Sequence, residues 1–273
     1  MEGLAGKRVF ITGGSSGIGL CTAESLVREG ASVCLFARNE EKLKDAAEHV
    51  GSLCREGCKA AFYSVDVSDN SQVREVMDKA AVEFGVPDIL INCAGRAKPR
   101  VFEEVSYEQF DETMKINLYG ARNVIAAVLP YMRGRGGHIV NTASVAGLIG
   151  VFGYTDYCAS KFGIIGFSEA LRSELDGQGI GVSVLCPPDT DTPGLAEENL
   201  TKPLETLAIS ESACVLSADK VAQALINGVK KKKFLIIPGL DGKMSWLAKR
   251  LAPGLVDWIM KRAIKKARKG KQP

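Results

Sequence analysis

Residues 8–19 read RVFITGGSSGIG, and the junction inside this stretch decides the fold. Residues 8–12 form a short run of mostly apolar side chains without polar alternation, the pattern of a strand buried on both faces. The chain then turns through glycines at 13, 17 and 19 into GIGLCTAESLVREG (17–30), which reads as a helix ending at Gly30. Such a junction aims the free N–H groups and positive end of the helix at the turn, where an anion is held. Gly13 suits the tight turn, Gly17 a close approach of the backbone to a pyrophosphate, and Gly19 packing of the helix on the sheet. A glycine-rich turn alone also fits a plain connector; its place between strand and helix gives it weight.

The same alternation continues outward. SVCLFA (32–37), KAAFYSVDV (59–67), DILINCAG (88–95), GHIVNTAS (137–144), GVSVLCP (181–187) and KFLIIPG (233–239) read as strands, with helical patterns between them. These segments predict an α/β chain: a single doubly wound parallel sheet of about seven strands covered by helices on both faces. One domain is expected over residues 1–238, followed by a basic amphipathic extension over 239–273. No charged segment leading into an apolar stretch opens the chain, so no secretory signal is read, and no run of 18 apolar residues predicts a spanning helix.

The formal charge of +3 conceals an asymmetry: from residue 230 onward 14 basic side chains face 2 acidic ones, while the rest carries 21 against 30. The eight cysteines are scattered without a CxxC pair and the two histidines are far apart, so no metal site is expected. Thiols set within apolar runs fit a reducing, cytoplasmic setting.

At the end of the second strand an acid would bond the ribose hydroxyls of NAD. Here Arg38 stands there, with Lys42 one helical turn on. A guanidinium offers paired donors to a phosphate, and Ser15 and Ser16 supply hydroxyls, so NADPH is the expected cofactor, against a reading of Arg38 and Lys42 as a solvated face. Further along, YCASK puts Tyr157 and Lys161 four residues apart on one helix face, thirteen residues after Ser144; Asn92 opens NCAG and Asn117 lies in a helical stretch. Ketone reduction needs hydride at carbon and a proton at oxygen. A tyrosine can give that proton, and a neighbouring ammonium is expected to lower its pKa.

In this order on this fold, TGxxxGxG, NxAG, Asn, Ser and YxxxK resemble the short-chain dehydrogenase/reductase family over roughly residues 6–238, which implies a Rossmann fold and an oxidoreductase. The resemblance implies that Ser144 orients the carbonyl, Tyr157 protonates it, Lys161 also bonds the nicotinamide ribose, and Asn117 holds the lysine through water. It implies that Gly13, Ser15, Ser16, Gly17, Ile18 and Gly19 hold the phosphates, Asp66 and Val67 the adenine, and Asn92, Ala94 and Gly95 the ribose. Pro187 and Thr192 would then meet the nicotinamide, from a loop, CPPDTDTPG (186–194), with Pro188 where the family has glycine.

The run PPDTDTPGLAEENLTKPLET (187–206), with TGGSSGIG and LFARNEEKL, resembles the 3-ketodihydrosphingosine reductases within that family. This implies NADPH-dependent reduction of 3-ketosphinganine, a long-chain lipid ketone. Alternatives are another hydrophobic carbonyl or alcohol (steroid, retinoid or 3-oxoacyl chain) and a non-catalytic NADP-binding protein. The family's habit implies a homodimer or homotetramer. Eukaryotic members of the group carry an N-terminal membrane helix, whereas this sequence opens on its first strand, so any membrane link is expected elsewhere. Residues 243–269 interleave apolar side chains (Trp246, Leu247, Leu251, Leu255, Trp258, Ile259 and Ile264) with lysines and arginines. That pattern suits peripheral contact with the cytosolic face of a membrane, or docking on the body or a partner. The two tryptophans argue against a nucleic-acid footprint.

Overall fold

Val9 and Ile11 point to one side of strand β1 (Arg8–Thr12) and Phe10 to the other, and all three are fully buried. The computed structural model describes residues 3–211 and 214–269, so the extreme ends of the two expected segments lie outside the described residues. After β1 come α1 (Gly17–Arg28), β2 (Ser32–Ala37), α2 (Glu40–Ser52), β3 (Ala60–Ser64), α3 (Asn70–Glu83) and β4 (Ile89–Asn92). Then follow α4 (Tyr107–Met114), a π-helical turn (Lys115–Tyr119), α5 (Gly120–Met132), β5 (Gly137–Thr142), α6 (Thr155–Glu174) and β6 (Ile180–Leu185). The last part contains β7 (Thr190–Asp191), α7 (Pro193–Asn199), α8 (Leu204–Ser210), β8 (Leu216–Ser217), α9 (Ala218–Lys230), β9 (Leu235–Ile236), α10 (Leu240–Leu251) and α11 (Pro253–Lys269).

Seven strands form one parallel sheet in the order β3-β2-β1-β4-β5-β6-β9, the doubly wound arrangement expected. One face packs Val9, Ile11 and Leu35 on Leu26 of α1 and Leu225 of α9. The other packs Phe10, Phe36 and Leu90 on Met77 of α3, Val124 of α5 and Leu171 of α6. Phe10 and Phe36 meet at 5.2 Å with rings tilted by 55°, an offset geometry that aromatic pairs favour. The register aligns Thr12 with both Phe36 and Asn92, and Asn92 with Asn141. The carboxyl ends of these strands therefore open on one crevice where the order reverses between β1 and β4, the place where such sheets bind ligands.

Several strands stop sooner than the apolar runs suggested. The run 59–67 pairs only over Ala60–Ser64, 88–95 over Ile89–Asn92 and 137–144 over Gly137–Thr142. The last, 233–239, pairs only at Leu235–Ile236. Val67, Ala143 and Cys186 are buried beyond the ladders, so their hydrophobicity serves the crevice walls rather than strand pairing. The pairing of β7 with β8, which ties the segment after β6 to the start of α9, carries no local signature in two residues per strand.

Residues 240–269 form two helices laid on the body. Pro253 begins α11, where its missing N–H is harmless. Trp246 packs against the cluster of Ile164, Val184 and Ile237; Lys249 bonds Asp257 at 2.7 Å; Arg268 bonds Glu205 of α8 at 2.9 Å. The apolar stripe of the sequence thus divides. Trp246 and Ile264 turn towards the body, whereas Leu247, Leu251, Leu255, Trp258 and Ile259 are exposed, in line with exposed Leu240 and Met244. Among the described residues no helix is long and apolar enough to cross a membrane.

Candidate active site

The glycine turn closes onto its neighbours. Gly13 has φ +67°, and a Cβ there would lie 2.8 Å from the backbone nitrogen of Ala94, so only glycine lets this turn reach the end of β4. A Cβ on Gly19 would strike the carbonyl of Gly13; this glycine serves contact between helix and turn rather than the helix–sheet packing expected. Gly17 faces the side chain of Thr192. Ser16 precedes α1 with its side chain making no capping bond, so the first-turn N–H donors stay open; Ser15 is half-buried beside it, and Ile18 packs on the core below.

Arg38 and Lys42 are exposed beyond β2, and among the described residues neither side chain makes a hydrogen bond or ion pair. Asp66 and Val67 lie in the turn after β3, not in the strand. Asp66 accepts from the Ser68 backbone and hydroxyl at 2.9 and 2.7 Å; Val67 is buried, and its carbonyl accepts from Asn123 at 3.1 Å. The Asn92 amide donates across the sheet to Asn141 at 2.9 Å, which leaves the backbone of Ala94 and Gly95 at the crevice. A Cβ on Gly95 would lie 3.3 Å from Asn117 Oδ1 and 3.4 Å from Lys161 Nζ, so this loop passes tightly over both.

Asn117 sits in the π turn, whose wider coil breaks the helical stretch at this point. Its amide donates to the Arg96 carbonyl at 2.9 Å and the Ser160 hydroxyl at 3.0 Å, while its oxygen accepts from Arg96 N–H at 2.8 Å. It is a bolt between the loop after β4 and α6, the helix that carries Tyr157 and Lys161.

Ser144, Tyr157 and Lys161 come together. Ser144 caps the short 3₁₀ turn Val145–Gly147, accepts from Ala146 N–H at 3.1 Å and hydrogen-bonds Tyr157. Lys161 Nζ lies 5.5 Å from the centre of the Tyr157 ring and donates to the Thr142 carbonyl at 2.8 Å. Burial brings the lysine pKa down to about 8. The phenol of Tyr157 moves the other way from the expectation: burial first, then the negative charge of Glu198, hold it well above the usual tyrosine range, and the bond from Ser144 opposes them only in part. Tyr157 is thus held as a protonated acid rather than a near-phenolate.

The loop 186–194 walls this site. The Pro187 carbonyl accepts from Val145 N–H at 3.0 Å and, weakly, from the Ser144 hydroxyl at 3.4 Å. The Thr192 hydroxyl caps α7 by accepting from Leu195 N–H at 3.2 Å and donates to the Thr190 carbonyl at 3.2 Å. Sequence reading missed the polar group that α7 brings over the site: Glu198 accepts from Tyr154 at 2.9 Å, and the buried Lys202 pairs with Asp189 at 3.3 Å. These contacts span 13 to 44 residues, and nothing local distinguishes Glu198 from Glu197.

The residues fit a nicotinamide dinucleotide on their own geometry: a cradle closed to any Cβ at Gly13, open donors at the start of α1, and unpaired cations beyond β2. The short chain dehydrogenase model matches residues 7–203, from β1 through α7. The chain belongs to the short-chain dehydrogenase/reductase family. Among its relatives in this family, the 3-ketodihydrosphingosine reductase of Mus musculus is 42% identical over 244 residues, 88% of this chain and 74% of that protein. The enzyme of the same name from Dictyostelium discoideum is 39% identical and covers 92% of this chain and 79% of its own length. A short chain dehydrogenase/reductase from Burkholderia phymatum, solved in complex with NAD, superposes with a TM-score of 0.82 at 27% identity, over 93% of this chain and 96% of that one. As a family member the chain is an oxidoreductase acting at a ketone or carbinol and binds a nicotinamide cofactor.

Proposed function

We propose that this oxidoreductase reduces the keto group of 3-ketosphinganine to sphinganine with NADPH. The observation that carries the reading is the match to relatives named for that ketone along nine-tenths of the chain, the substrate loop included. When bound, the nicotinamide supplies the hydride. Ser144 holds the carbonyl oxygen beside Tyr157, whose phenol gives its proton to that oxygen as negative charge grows there. The Lys161 ammonium, over the same ring, favours the phenolate that this transfer leaves behind. Asn117 and the Gly95 loop keep the lysine in place. Glycines 13, 17 and 19 with Ser15, Ser16 and Ile18 cradle the phosphates, and Asp66, Val67, Asn92, Ala94, Gly95, Pro187 and Thr192 line the remainder of the cofactor. NADPH in place of NADH rests on Arg38 and Lys42, which are exposed and, among the described residues, make no ion pair with an acid.

A lipid substrate is supported by an apolar cleft of about 420 Å³, lined by Ile149, Val151, Phe152, Met260 and Ile264 and bordered by Tyr154. Its size lies within the range of small-molecule sites. The Tyr154 ring lies 5.5 Å from that of Tyr157 at a tilt of 51°, so an alkyl chain in the cleft would lead to the reacting carbonyl. NADPH oxidation with 3-ketosphinganine in detergent micelles tests the reading, with NADH and a steroid ketone as controls. Turnover far above both controls is expected, and Arg38→Ala should narrow the NADPH-over-NADH preference about 10-fold or more, the worth of a charge-assisted bond to phosphate. Reduction of the steroid ketone alone would refute the substrate.

The exposed row from Leu240 to Ile259, fringed by Lys243, Arg250, Arg262 and Lys265, supports peripheral attachment to an anionic membrane at its cytosolic face. The parent is expected to sediment with phosphatidylserine vesicles, more than with phosphatidylcholine. The pair Leu251→Glu and Trp258→Glu should weaken this at least 10-fold, since each side chain buries apolar area worth about 2 kcal/mol. Equal sedimentation of both proteins would exclude this face. Exposed Tyr119 and Phe162, beside the site, support assembly as a homodimer or homotetramer.

A further inference from the structure

Two carboxylates stand over Tyr157, and they differ in one respect. Asp189 is neutralised by the ammonium of Lys202, whose side chain is 1% exposed. Glu198 has no cation within ion-pair distance among the described residues, and the neutral hydroxyl of Tyr154 is the only donor to its side chain. The position is not incidental. Thr192 and Pro193 start α7 so that Glu198, one and a half turns on, comes down on Tyr154, whose ring packs at a tilt against Tyr157. The charge of Glu198 is felt at both Tyr157 and Lys161. Lys202 and Lys161 favour the charged carboxylate only from beyond ion-pair distance, and each already has its own partner, Asp189 for the one and the Thr142 carbonyl for the other. Burial raises the pKa of Glu198, as expected where a carboxylate is short of a counter-charge. A carboxylate needed only to pin α7 would have no use for that cost, since glutamine accepts the same bond from Tyr154.

We infer that Glu198 recognises a cationic substituent next to the substrate carbonyl, so that the enzyme selects 2-ammonio ketones over neutral ketones. The inference rests on the substrate proposed above, in which an amine is bonded to the carbon beside the keto group. That amine is three bonds from the carbonyl oxygen that Ser144 and Tyr157 would hold, and the Glu198 charge acts on this tyrosine from the side of Tyr154. Arrival of the amine has a second effect. The ammonium offsets the field by which Glu198 holds the phenol protonated, and so makes Tyr157 a stronger acid when its proton is needed. A neutral ketone leaves that field unopposed.

The test compares kcat/KM for 3-ketosphinganine and for its analogue with hydrogen in place of the amine, in the parent and in Glu198→Gln, which keeps the bond to Tyr154. The preference for the amino ketone is expected to fall about 10- to 100-fold in the variant, the span of a charge-assisted hydrogen bond. A residue that merely pins α7 would lower both rates and leave their ratio alone. Turnover of 3-ketosphinganine by the parent with the same ratio in Glu198→Gln overturns the inference and leaves the proposed substrate standing. Failure of the parent on 3-ketosphinganine, with activity on a neutral ketone, overturns both.

Discussion

Tyr157→Phe is expected to lower turnover by roughly 10²- to 10⁴-fold, the contribution of a positioned general acid, with little effect on cofactor binding or folding. The phenyl ring keeps its tilted contact with Tyr154 and its place beneath Lys161; what is lost is the hydroxyl that bonds Ser144. One such bond contributes about 1 kcal/mol, which in a chain of this size moves the melting temperature by about 2–4 °C. Cofactor titration and thermal melting of the variant, beside its rate of nicotinamide oxidation, make the comparison. Parent-like turnover in this variant would place the proton donor elsewhere.

Lys161→Met should separate activity from stability. The buried ammonium titrates at about 8, below the ordinary lysine value of 10.5. Between these values the unfolded chain holds a proton that the folded chain has released. The cost of the buried charge is therefore fully present below pH 8 and fades as pH rises to 10.5. Removing the charge relieves a few kcal/mol at neutral pH, of which the unmatched Thr142 carbonyl takes back about 1–2. We expect the methionine variant to be more stable than the parent by roughly 1–2 kcal/mol at pH 7, with the gain gone by about pH 9.5 and reversed near pH 10.5, where only the unmatched carbonyl counts, and to lose activity at least 100-fold. Urea melts at pH 7 and pH 10 measure both halves of this expectation. A variant less stable than the parent at pH 7 would mean that the lysine holds the site together rather than burdening it.

Those residues were visible in the sequence because each belongs to a short pattern. Gly13, Gly17 and Gly19 lie within one turn, and Tyr157 and Lys161 on one helix face; the strands reveal themselves as unbroken apolar runs wherever both faces are buried. What escaped notice depends on distant parts of the chain meeting. Glu198 matters through Tyr154, 44 residues away, and a glutamate in an amphipathic helix looks alike whether it meets solvent or a tyrosine. The direction of the Tyr157 shift was misjudged for the same reason: the lysine four residues on was visible, while the burial and the overhanging carboxylate were not. Strand ends were overrun because an apolar residue that lines a crevice is, in one dimension, identical to one that pairs. The seven apolar side chains of the C-terminal segment read as one stripe, although the break at Pro253 lets two helices present separate faces.

The approach of Gly17 to Thr192 has a consequence for how such a protein diverges. The turn proposed to receive the cofactor faces the loop proposed to cover the substrate where a Cβ on Gly17 would press on the Thr192 side chain, and neighbouring residues do not respond independently to substitution. A lineage changing its substrate by remodelling residues 186–206 therefore drags the cofactor turn into the change, and new specificity has to be acquired by both partners in step.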